Sequence, residues 1–199
     1  MRRLNRRGFV VIAASILAGC GGDGATDSPD TTVAGTTTPG NPALGEVTSA
    51  GGLELSSPAF DDGGSIPERY GREAENVNPP LDIEGVPDGT ESFTLIMDDP
   101  DAPGGTFLHW LVWNVPGDRR TIPEGWDAAE ATEGKNDFET TGYGGPDPPD
   151  GEEHRYRFKL YALDTTLSLS ASASRAEVGD AMRGHVLGRS GLNGTYTVG

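Results

Sequence analysis

Short apolar runs, separated by Gly, Pro and Asp, make up most of the chain from Leu53 onward. Leu53-Glu54-Leu55 alternates apolar and polar residues and predicts a first strand. Phe93 to Met97 is almost entirely apolar and predicts a buried strand that ends at Asp98-Asp99-Pro100. Because strand signals outnumber helical ones, the pattern indicates a mostly β domain.

The segment from Phe107 to Val115 predicts a central strand. Its odd and its even positions are both apolar, which is typical of a strand covered on both faces. His109 interrupts this pattern. Its parity predicts that the imidazole lies on the face of Phe107, Leu111 and Trp113.

A further strand is predicted from His154 to Leu163, where apolar and polar residues alternate. The alternation places His154 on the same face as Tyr156 and Phe158. A last strand is expected near Gly194 to Val198.

One segment predicts a helix near the end of the chain. Ser174-Arg175-Ala176-Glu177 has the Ser-x-x-Glu pattern of a capping box. Apolar residues then recur at helical spacing as far as Val186, and Gly188 is expected just past the end of the helix. The expected fold is a mostly β domain with one or two peripheral helices.

Residues 1–19 predict an export signal. Four arginines precede an apolar run, Phe9 to Leu17, that is far shorter than the roughly 20 residues needed to span a bilayer. Arg6-Arg7 and the residues after them resemble a twin-arginine (Tat) motif, which would export the folded protein. Leu17-Ala18-Gly19-Cys20 resembles a lipobox. Cys20 is therefore predicted to carry a lipid that anchors a lipoprotein at the extracellular face of the cell membrane.

Residues 20–50 are expected to form a disordered tether, because Gly, Thr, Ser, Asp and Pro dominate this stretch. The folded domain is then expected to cover residues 51–199. Within it, Asn193-Gly194-Thr195 permits N-glycosylation at Asn193.

The chain of 199 residues has 15 basic and 31 acidic side chains and a formal charge of −16. Four basic residues and no acidic ones precede Cys20, so cleavage there would leave 11 basic and 31 acidic residues, a charge of −20. This balance argues against a nucleic-acid partner, because phosphate backbones are bound by clustered Lys and Arg. Acid excess with only two lysines favours a halophilic protein, since salt near 1 M screens charges beyond roughly 3 Å.

Asp99, His109 and His154 are polar residues at or beside buried strand positions. A carboxylate beside an imidazole keeps the imidazole charged, so two imidazoliums and a Gly-rich turn would hold a small anion. The same three side chains could bind a metal, but no supporting His spacing is present, and neither a metal nor a cofactor is predicted. A hydrolase would need a nucleophile, and the chain has no Gly-x-Ser-x-Gly elbow.

Motifs around these residues resemble the phosphatidylethanolamine-binding protein (PEBP) family. The resemblance is closest to its bacterial and archaeal branch, the YbhB/YbcL-type Raf-kinase-inhibitor-like proteins, and it covers roughly Leu53 to Thr197. The main motifs are Asp98-Asp99-Pro100-Asp101-Ala102-Pro103, His109-Trp110, Gly142-Tyr143-Gly144-Gly145-Pro146-Asp147-Pro148-Pro149 and His154-Arg155-Tyr156.

The resemblance implies a PEBP-like fold, in which a large central β-sheet packs against a smaller sheet. It also implies a small pocket that binds an anion such as phosphate or a phospholipid headgroup. Matched position by position, the ligand-binding residues would be Asp99, Asp101, His109, Gly145, Pro148, Pro149, His154 and Tyr156.

Two positions depart from the family pattern. Prokaryotic relatives often carry Cys near Tyr70-Gly71-Arg72 and in a Gly-Pro-Cys-Pro-Pro loop, where this chain has Arg72 and Asp147. We expect these two residues to approach each other as an ion pair. Asp147 also places a negative charge beside the expected anion pocket.

The sequence therefore predicts a non-catalytic, lipid-anchored PEBP-like module that binds a small anion. Two alternatives stay open. One is an inhibitor or interaction protein that acts on an exported enzyme such as a protease, with a protein partner that the sequence does not identify. The other is a hydrolase that uses His109 and His154.

Overall fold

A computed structural model describes Asn41, Gly45 and residues 47–198. The predicted signal peptide, the lipidation site Cys20 and most of the predicted tether lie outside the described residues. Within the described part of the chain, no helix is long and apolar enough to cross a membrane.

Nine strands, one α-helix and a short 3-10 helix (Glu68–Tyr70) make up the secondary structure of the described residues. The α-helix, α1, is Arg175–Ala181. The strands are β1 (Glu54–Ser56), β2 (Gly64–Ser65), β3 (Leu81–Glu84), β4 (Ser92–Asp99), β5 (Phe107–Pro116), β6 (Thr121–Ile122), β7 (Thr132–Glu133), β8 (Glu153–Leu163) and β9 (Val186–Thr197).

The strands form two sheets, as the sequence predicts. The large sheet has the order β2-β9-β8-β4-β5-β7, and the small sheet has the order β1-β3-β6. All neighbours are antiparallel except β2 and β9. The expected mostly β fold, with a large sheet packed on a smaller one, is confirmed.

The main hydrophobic core lies between the two sheets. Leu55 and Ile83 of the small sheet belong to the same buried cluster as Leu95, Trp110 and Phe158 of the large sheet. Each such side chain stabilises the fold by about 1.5–3 kcal/mol when it is removed from water. A second buried cluster covers the other face of the large sheet and includes residues of α1. The central strands are therefore buried on both faces, as their apolar pattern predicts.

The helix begins where the sequence predicts but ends earlier. The Ser174 hydroxyl accepts a hydrogen bond from the Glu177 amide, and the Glu177 carboxylate accepts one from the Ser174 amide, so the capping box is confirmed. The prediction of a helix that continues past Val186 is wrong. Gly184 adopts a φ of +82°, which reverses the chain, and β9 begins at Val186 because its backbone pairs along most of β8.

The last residues of the expected tether lie against the domain. The Asn41 amide donates hydrogen bonds to the carbonyl of Ala176 and to the carboxylate of Asp180 in α1, at 2.9 and 2.8 Å. Val47 packs against the second core, and Ala50 exchanges two backbone hydrogen bonds with Arg189 in β9. The described residues from Asn41 to Ala50 thus form a docked segment, because their backbone and side chains find partners on α1 and β9.

Asn193 lies in the interior of β9. Its backbone and side-chain amides both donate to the carboxylate of Asp62, at 2.8 and 3.2 Å. N-glycosylation at Asn193 stays a prediction, and a sugar there would have to displace the side-chain contact with Asp62.

Candidate ligand-binding site

Three strand ends meet at one edge of the large sheet. Asp99 is the last residue of β4, while His109 lies near the start of β5 and His154 near the start of β8. Because β5 and β8 both run antiparallel to β4, their starts lie beside its end. The topology thus brings together three polar side chains that are far apart in the sequence.

These side chains line a cavity of about 200 Å³. Four predicted site residues border it, namely Asp99, His109, His154 and Pro149. Its other walls are Ala102, Pro103, Phe107, Phe138 and Asp147. The other predicted site residues, Asp101, Gly145, Pro148 and Tyr156, lie outside this lining.

A β-bulge sets the direction of the His109 side chain. Met97 of β4 pairs with Trp110, whereas the next residue, Asp98, pairs with Leu108, so His109 is an extra residue in β5. The bulge breaks the simple alternation of the strand. The expectation that His109 shares a face with Leu111 and Trp113 is therefore wrong, because those two side chains belong to the second core.

The imidazole of His109 packs instead against Tyr156, edge to face, with ring centroids 5.1 Å apart. Its Nδ1 lies 2.8 Å from the carbonyl oxygen of Gly144 and 3.0 Å from that of Gly145. Two acceptors at Nδ1 require the proton there. Burial lowers the pKa of His109, against the smaller raising effect of these carbonyls. His109 is thus a neutral imidazole whose Nε2 is a hydrogen-bond acceptor.

His154 has the opposite character. Its Nδ1 lies 2.7 Å from the Asp99 carboxylate, and both side chains are 5% exposed. Burial acts to lower the pKa of His154, but the hydrogen bond and charge of Asp99, with help from Glu152 and Asp101, raise it overall. The pKa shifts of the two histidines therefore have opposite signs: Asp99 favours the imidazolium form of His154, while burial favours the neutral form of His109, where the sequence suggests two imidazoliums.

The turn after β4 orients Asp99. The amide of Asp101 donates to one oxygen of Asp99 at 2.8 Å, and the Asp101 carboxylate accepts from the amide of Arg155 at 2.9 Å. Asp101 thereby ties the turn to β8 and leaves the second Asp99 oxygen for His154. Its role is to support the pocket from the turn, as the family resemblance implies.

The loop before β8 needs glycine at position 145. A Cβ atom there would lie 2.2 Å from the carbonyl oxygen of Tyr70 and 2.7 Å from the amide of Arg72, and neither backbone atom can yield easily. The Gly145 amide donates to the Asn76 side chain at 2.8 Å. This close packing holds the two carbonyls that orient His109.

Tyr156 contacts two residues that line the pocket, His109 and Asp147. Its side chain is fully buried, and its hydroxyl accepts a hydrogen bond from the Asp147 amide at 3.2 Å. Burial, and then the charge of Asp99, raise the pKa of Tyr156 well above its ordinary value, so the phenol stays neutral. Pro148 is also buried, whereas Pro149, the next residue of the loop, borders the cavity.

Aromatic side chains form the wall that sequence reasoning missed. Phe107 and Phe138 pack edge to face with centroids 4.7 Å apart, and Phe138 contacts the His109 ring at 5.3 Å. Phe107 starts a strand and so looks like ordinary core, whereas Phe138 is an isolated aromatic in a polar loop. A lone aromatic residue in such a polar loop is the signal that could have identified Phe138.

The expected approach of Arg72 and Asp147 is confirmed. Nε of Arg72 lies 3.8 Å from the Asp147 carboxylate, and the two side chains are 28% and 34% exposed. At this distance and exposure the pair is worth at most about 1 kcal/mol, and less in salt. Asp147 thus lies beside the cavity with one partner for its charge.

The pocket combines a histidine whose charged form is favoured, a histidine whose neutral form is favoured, and an apolar wall. Such a set suits a small ligand that has anionic oxygens and one hydrogen-bond donor. Among the residues that the structure describes, no group of three or more His, Cys, Asp and Glu side chains is arranged to hold a metal ion.

The fold and the site place the protein in a class of small binding modules: β domains of two sheets with a His/Asp pocket at the edge of the large sheet. The family model described as "Phosphatidylethanolamine-binding protein" matches residues 56–197. The chain therefore belongs to the phosphatidylethanolamine-binding protein family.

Relatives and solved structures agree with this assignment. A UPF0098 protein of Methanothermobacter thermautotrophicus is 47% identical over 152 residues, which cover 74% of this chain and all of that protein. A PEBP homolog from Chlamydia trachomatis, CT736, superposes with a TM-score of 0.71 at 34% identity and covers 75% of this chain and 100% of its own. Escherichia coli YbcL, described as a member of the mammalian PEBP family, gives a TM-score of 0.68 at 30% identity, over 74% of this chain and 99% of its own.

Proposed function

We propose that this PEBP-family module binds a small phosphate-bearing ligand, either free phosphate or a phospholipid headgroup, without chemical turnover. The observation that supports the proposal most is the Asp99–His154 pair. Its short contact of 2.7 Å favours a protonated His154 at neutral pH, which supplies a fixed cation inside a cavity of about 200 Å³.

His109 narrows the class of ligand. Its Nδ1 is committed to two backbone carbonyls, so Nε2 accepts a hydrogen bond and cannot donate one to an anionic oxygen. A ligand must therefore bring a donor beside its anionic oxygens. The P–OH of phosphate meets this need, and so does the ammonium or hydroxyl of a phospholipid headgroup.

Two carboxylates oppose an anion at this site. Glu152 lies 3.5 Å from Nε2 of His154 and is 62% exposed, so it can move into solvent when a ligand arrives. Asp147 borders the cavity and is partly neutralised by Arg72. The proposal therefore expects modest affinity for phosphate, with Glu152 acting as a competitor.

The proposed cellular setting follows from the N-terminal motifs. We place the module at the extracellular face of the cell membrane, exported by a Tat-type signal and anchored through a lipid on Cys20. Metabolic labelling with a fatty-acid analogue tests this directly. Label is expected on the parent chain and should be lost in Cys20→Ala, whereas equal labelling of both would contradict the anchor.

Calorimetric titration with inorganic phosphate, sulfate and glycerophosphoethanolamine tests the ligand class. Sulfate has no proton to donate at neutral pH, so phosphate should bind at least about tenfold more tightly, because an unmet buried acceptor is costly. His154→Asn should abolish binding of either phosphate compound. Stronger binding of glycerophosphoethanolamine than of phosphate would identify a headgroup as the ligand.

A double variant, with His109 and His154 both replaced by Ala, separates the alternatives. In an inhibitor of an exported protease, substituting both His109 and His154 by Ala would abolish phosphate binding and leave inhibition intact. In a hydrolase, the parent would release product from a chromogenic ester and the double variant would not. Equal affinity of the parent for phosphate and sulfate would count against the proposed role of His109.

A further inference from the structure

Arg72 contacts the pocket wall from behind. The guanidinium carbon of Arg72 lies 3.6 Å from the centroid of the Phe138 ring. Its Nε lies 3.8 Å from the carboxylate of Asp147. Phe138 and Asp147 both border the cavity. One side chain thus touches two wall residues that belong to different parts of the chain.

The backbone of Arg72 joins the same assembly. Its amide donates to the carbonyl of Pro146 at 2.9 Å, immediately before Asp147. Arg72 is therefore fixed to the loop at its backbone, and its side chain extends from there over Phe138. A planar guanidinium can stack its face on a ring while its N–H groups pair with a carboxylate. The ammonium of Lys is a compact charge without such a face.

Phe138 in turn packs on the His109 ring at 5.3 Å and an interplanar angle of 80°. The loop that carries Phe138 is otherwise held by Asn136, whose side chain bonds to backbone amides nearby. The stacked guanidinium covers the ring from another direction. The guanidinium is thus one of the contacts that fix Phe138 beside His109, together with the Phe107 ring at 4.7 Å.

The charge of Asp147 depends on the same residue. Among the residues that the structure describes, Arg72 is the cation found within ion-pair distance of Asp147. Asp147 borders both the pocket and a larger neighbouring cavity that also has Glu68 and Glu73 in its walls. Without Arg72, an uncompensated carboxylate would face any anion that approaches His154.

We propose that Arg72 is a positioning residue of the pocket: it holds Phe138 against His109 and masks the charge of Asp147, so that an anion can enter the pocket. This inference rests on the proposed phosphate-binding function. Arg72 itself does not border the cavity, so it acts through the two wall residues.

The test is a double-mutant cycle on the full chain, with Arg72→Gln, Asp147→Asn and the two combined. Arg72→Gln is expected to weaken binding of inorganic phosphate about fivefold at constant ionic strength, close to the upper value of an exposed pair. Combined with Arg72→Gln, Asp147→Asn should recover the part of the loss that comes from the uncompensated carboxylate, while the part that comes from a displaced Phe138 should remain. Unchanged affinity in Arg72→Gln, or no restoration in the double variant, would overturn the proposal.

A spectroscopic readout keeps the inference separate from the proposed function. The ring of Phe138 shifts the His109 ring-proton resonances, so Arg72→Gln should move them even when no ligand is present. If the parent fails to bind phosphate yet these resonances move, the proposed ligand is wrong and the positioning role stands. If they do not move, Arg72 does not hold Phe138.

Arg119→Gln is the matched control. Arg119 also stacks on an aromatic ring, that of Trp126, at 5.1 Å, and it also pairs with a carboxylate, that of Glu130. None of these three residues borders the pocket. Its substitution should leave phosphate affinity and the His109 resonances unchanged, and circular dichroism of each variant checks that the fold is intact.

Discussion

Asp99 and His154 lie on neighbouring strands with Oδ2 and Nδ1 2.7 Å apart, and both side chains are almost completely buried. The net effect of such a pair on stability is small, because its attraction and hydrogen bonds must offset the loss of hydration of both groups. At the edge of the sheet, beside a cavity, the pair has a second consequence. The carboxylate raises the pKa of His154 and so favours an imidazolium where a ligand can reach it.

Asp99→Asn should remove this cation while it keeps the shape of the side chain. The pKa of His154 is expected to fall, because burial then acts without the carboxylate. Each unit by which the pKa falls lowers the imidazolium fraction by at most about tenfold, and phosphate affinity at neutral pH should drop in proportion to that fraction. Titration of the His154 ring protons by NMR and calorimetry measure the two effects.

Asp164→Asn provides the control for that substitution. Asp164 also pairs with a histidine, His185, at 2.8 Å, but on an exposed surface away from the pocket. It should leave phosphate binding unchanged. An Asp99→Asn variant that binds phosphate as tightly as the parent would refute the role of His154 as a cation.

The two pocket histidines should give opposite pH effects on stability. The folded pKa of His109 is below its ordinary value, so the unfolded state takes up a proton first, and His109 destabilises the fold as pH falls below about 6.5. The folded pKa of His154 is raised, so its stabilising contribution is complete below about pH 6.5 and is lost as pH rises through the folded pKa.

Chemical denaturation of His109→Asn and His154→Asn between about pH 5 and 8 checks both signs. Relative to the parent, His109→Asn should lose less stability towards acid. His154→Asn should show its largest deficit at acid pH and a smaller one above neutrality. Each effect should amount to about 1.4 kcal/mol per unit of pKa shift. Parallel pH curves for the three proteins would contradict the assigned protonation states.

High negative charge should make the fold depend on salt. With a predicted mature charge of −20, self-repulsion is screened near 1 M salt, where the Debye length is roughly 3 Å, and grows as salt is removed. We expect the thermal midpoint to fall steadily as KCl is lowered, and the fold to be lost in dilute buffer. Circular dichroism during dialysis measures this, and a cooperative fold that persists at low salt would rule it out.

Gly145→Ala should damage the pocket through its loop. The added methyl would meet two backbone atoms at 2.2 and 2.7 Å, so the loop must move and carry with it the carbonyls that orient His109. We expect a loss of about 1–3 kcal/mol in the free energy of unfolding, typical of overpacking, together with weaker phosphate binding. Gly104→Ala, where nothing lies within 4 Å of the new methyl, should change neither quantity.

Gly179→Ala tests the docked segment. An alanine inside a helix is normally about 1 kcal/mol more stable than glycine, but the new methyl would lie 1.7 Å from the side-chain oxygen of Asn41. The substitution should therefore give no gain in the parent chain. In an Asn41→Ala background, which removes the obstacle, it should stabilise by about 1 kcal/mol. Equal effects in both backgrounds would show that Asn41 does not rest on α1 in solution.

Several elements could be predicted from the sequence because their signals are local. The capping box at Ser174 and the strand from His154 onward each depend on neighbouring residues, and both are confirmed. The polar face expected for that strand is wrong, because Arg157 and Lys159 are buried as ion-pair partners of Asp98. The end of the helix could not be predicted in this way. Val186 continues the helical spacing of apolar residues, yet it joins β9, because pairing with a long neighbouring strand outweighs propensity in so short a segment.

The sequence by itself determined which residues to consider as a site, since motifs near Asp99, His109 and His154 are readable without coordinates. Only the tertiary structure decided their protonation. Burial lowers the pKa of His109 and favours its neutral form, whereas Asp99 raises the pKa of His154 and favours its charged form. The structure also supplied the aromatic wall at Phe138 and the bulge that aims His109. These properties depend on distance, hydrogen-bond partners and exclusion of water, which arise only when remote segments of the chain meet.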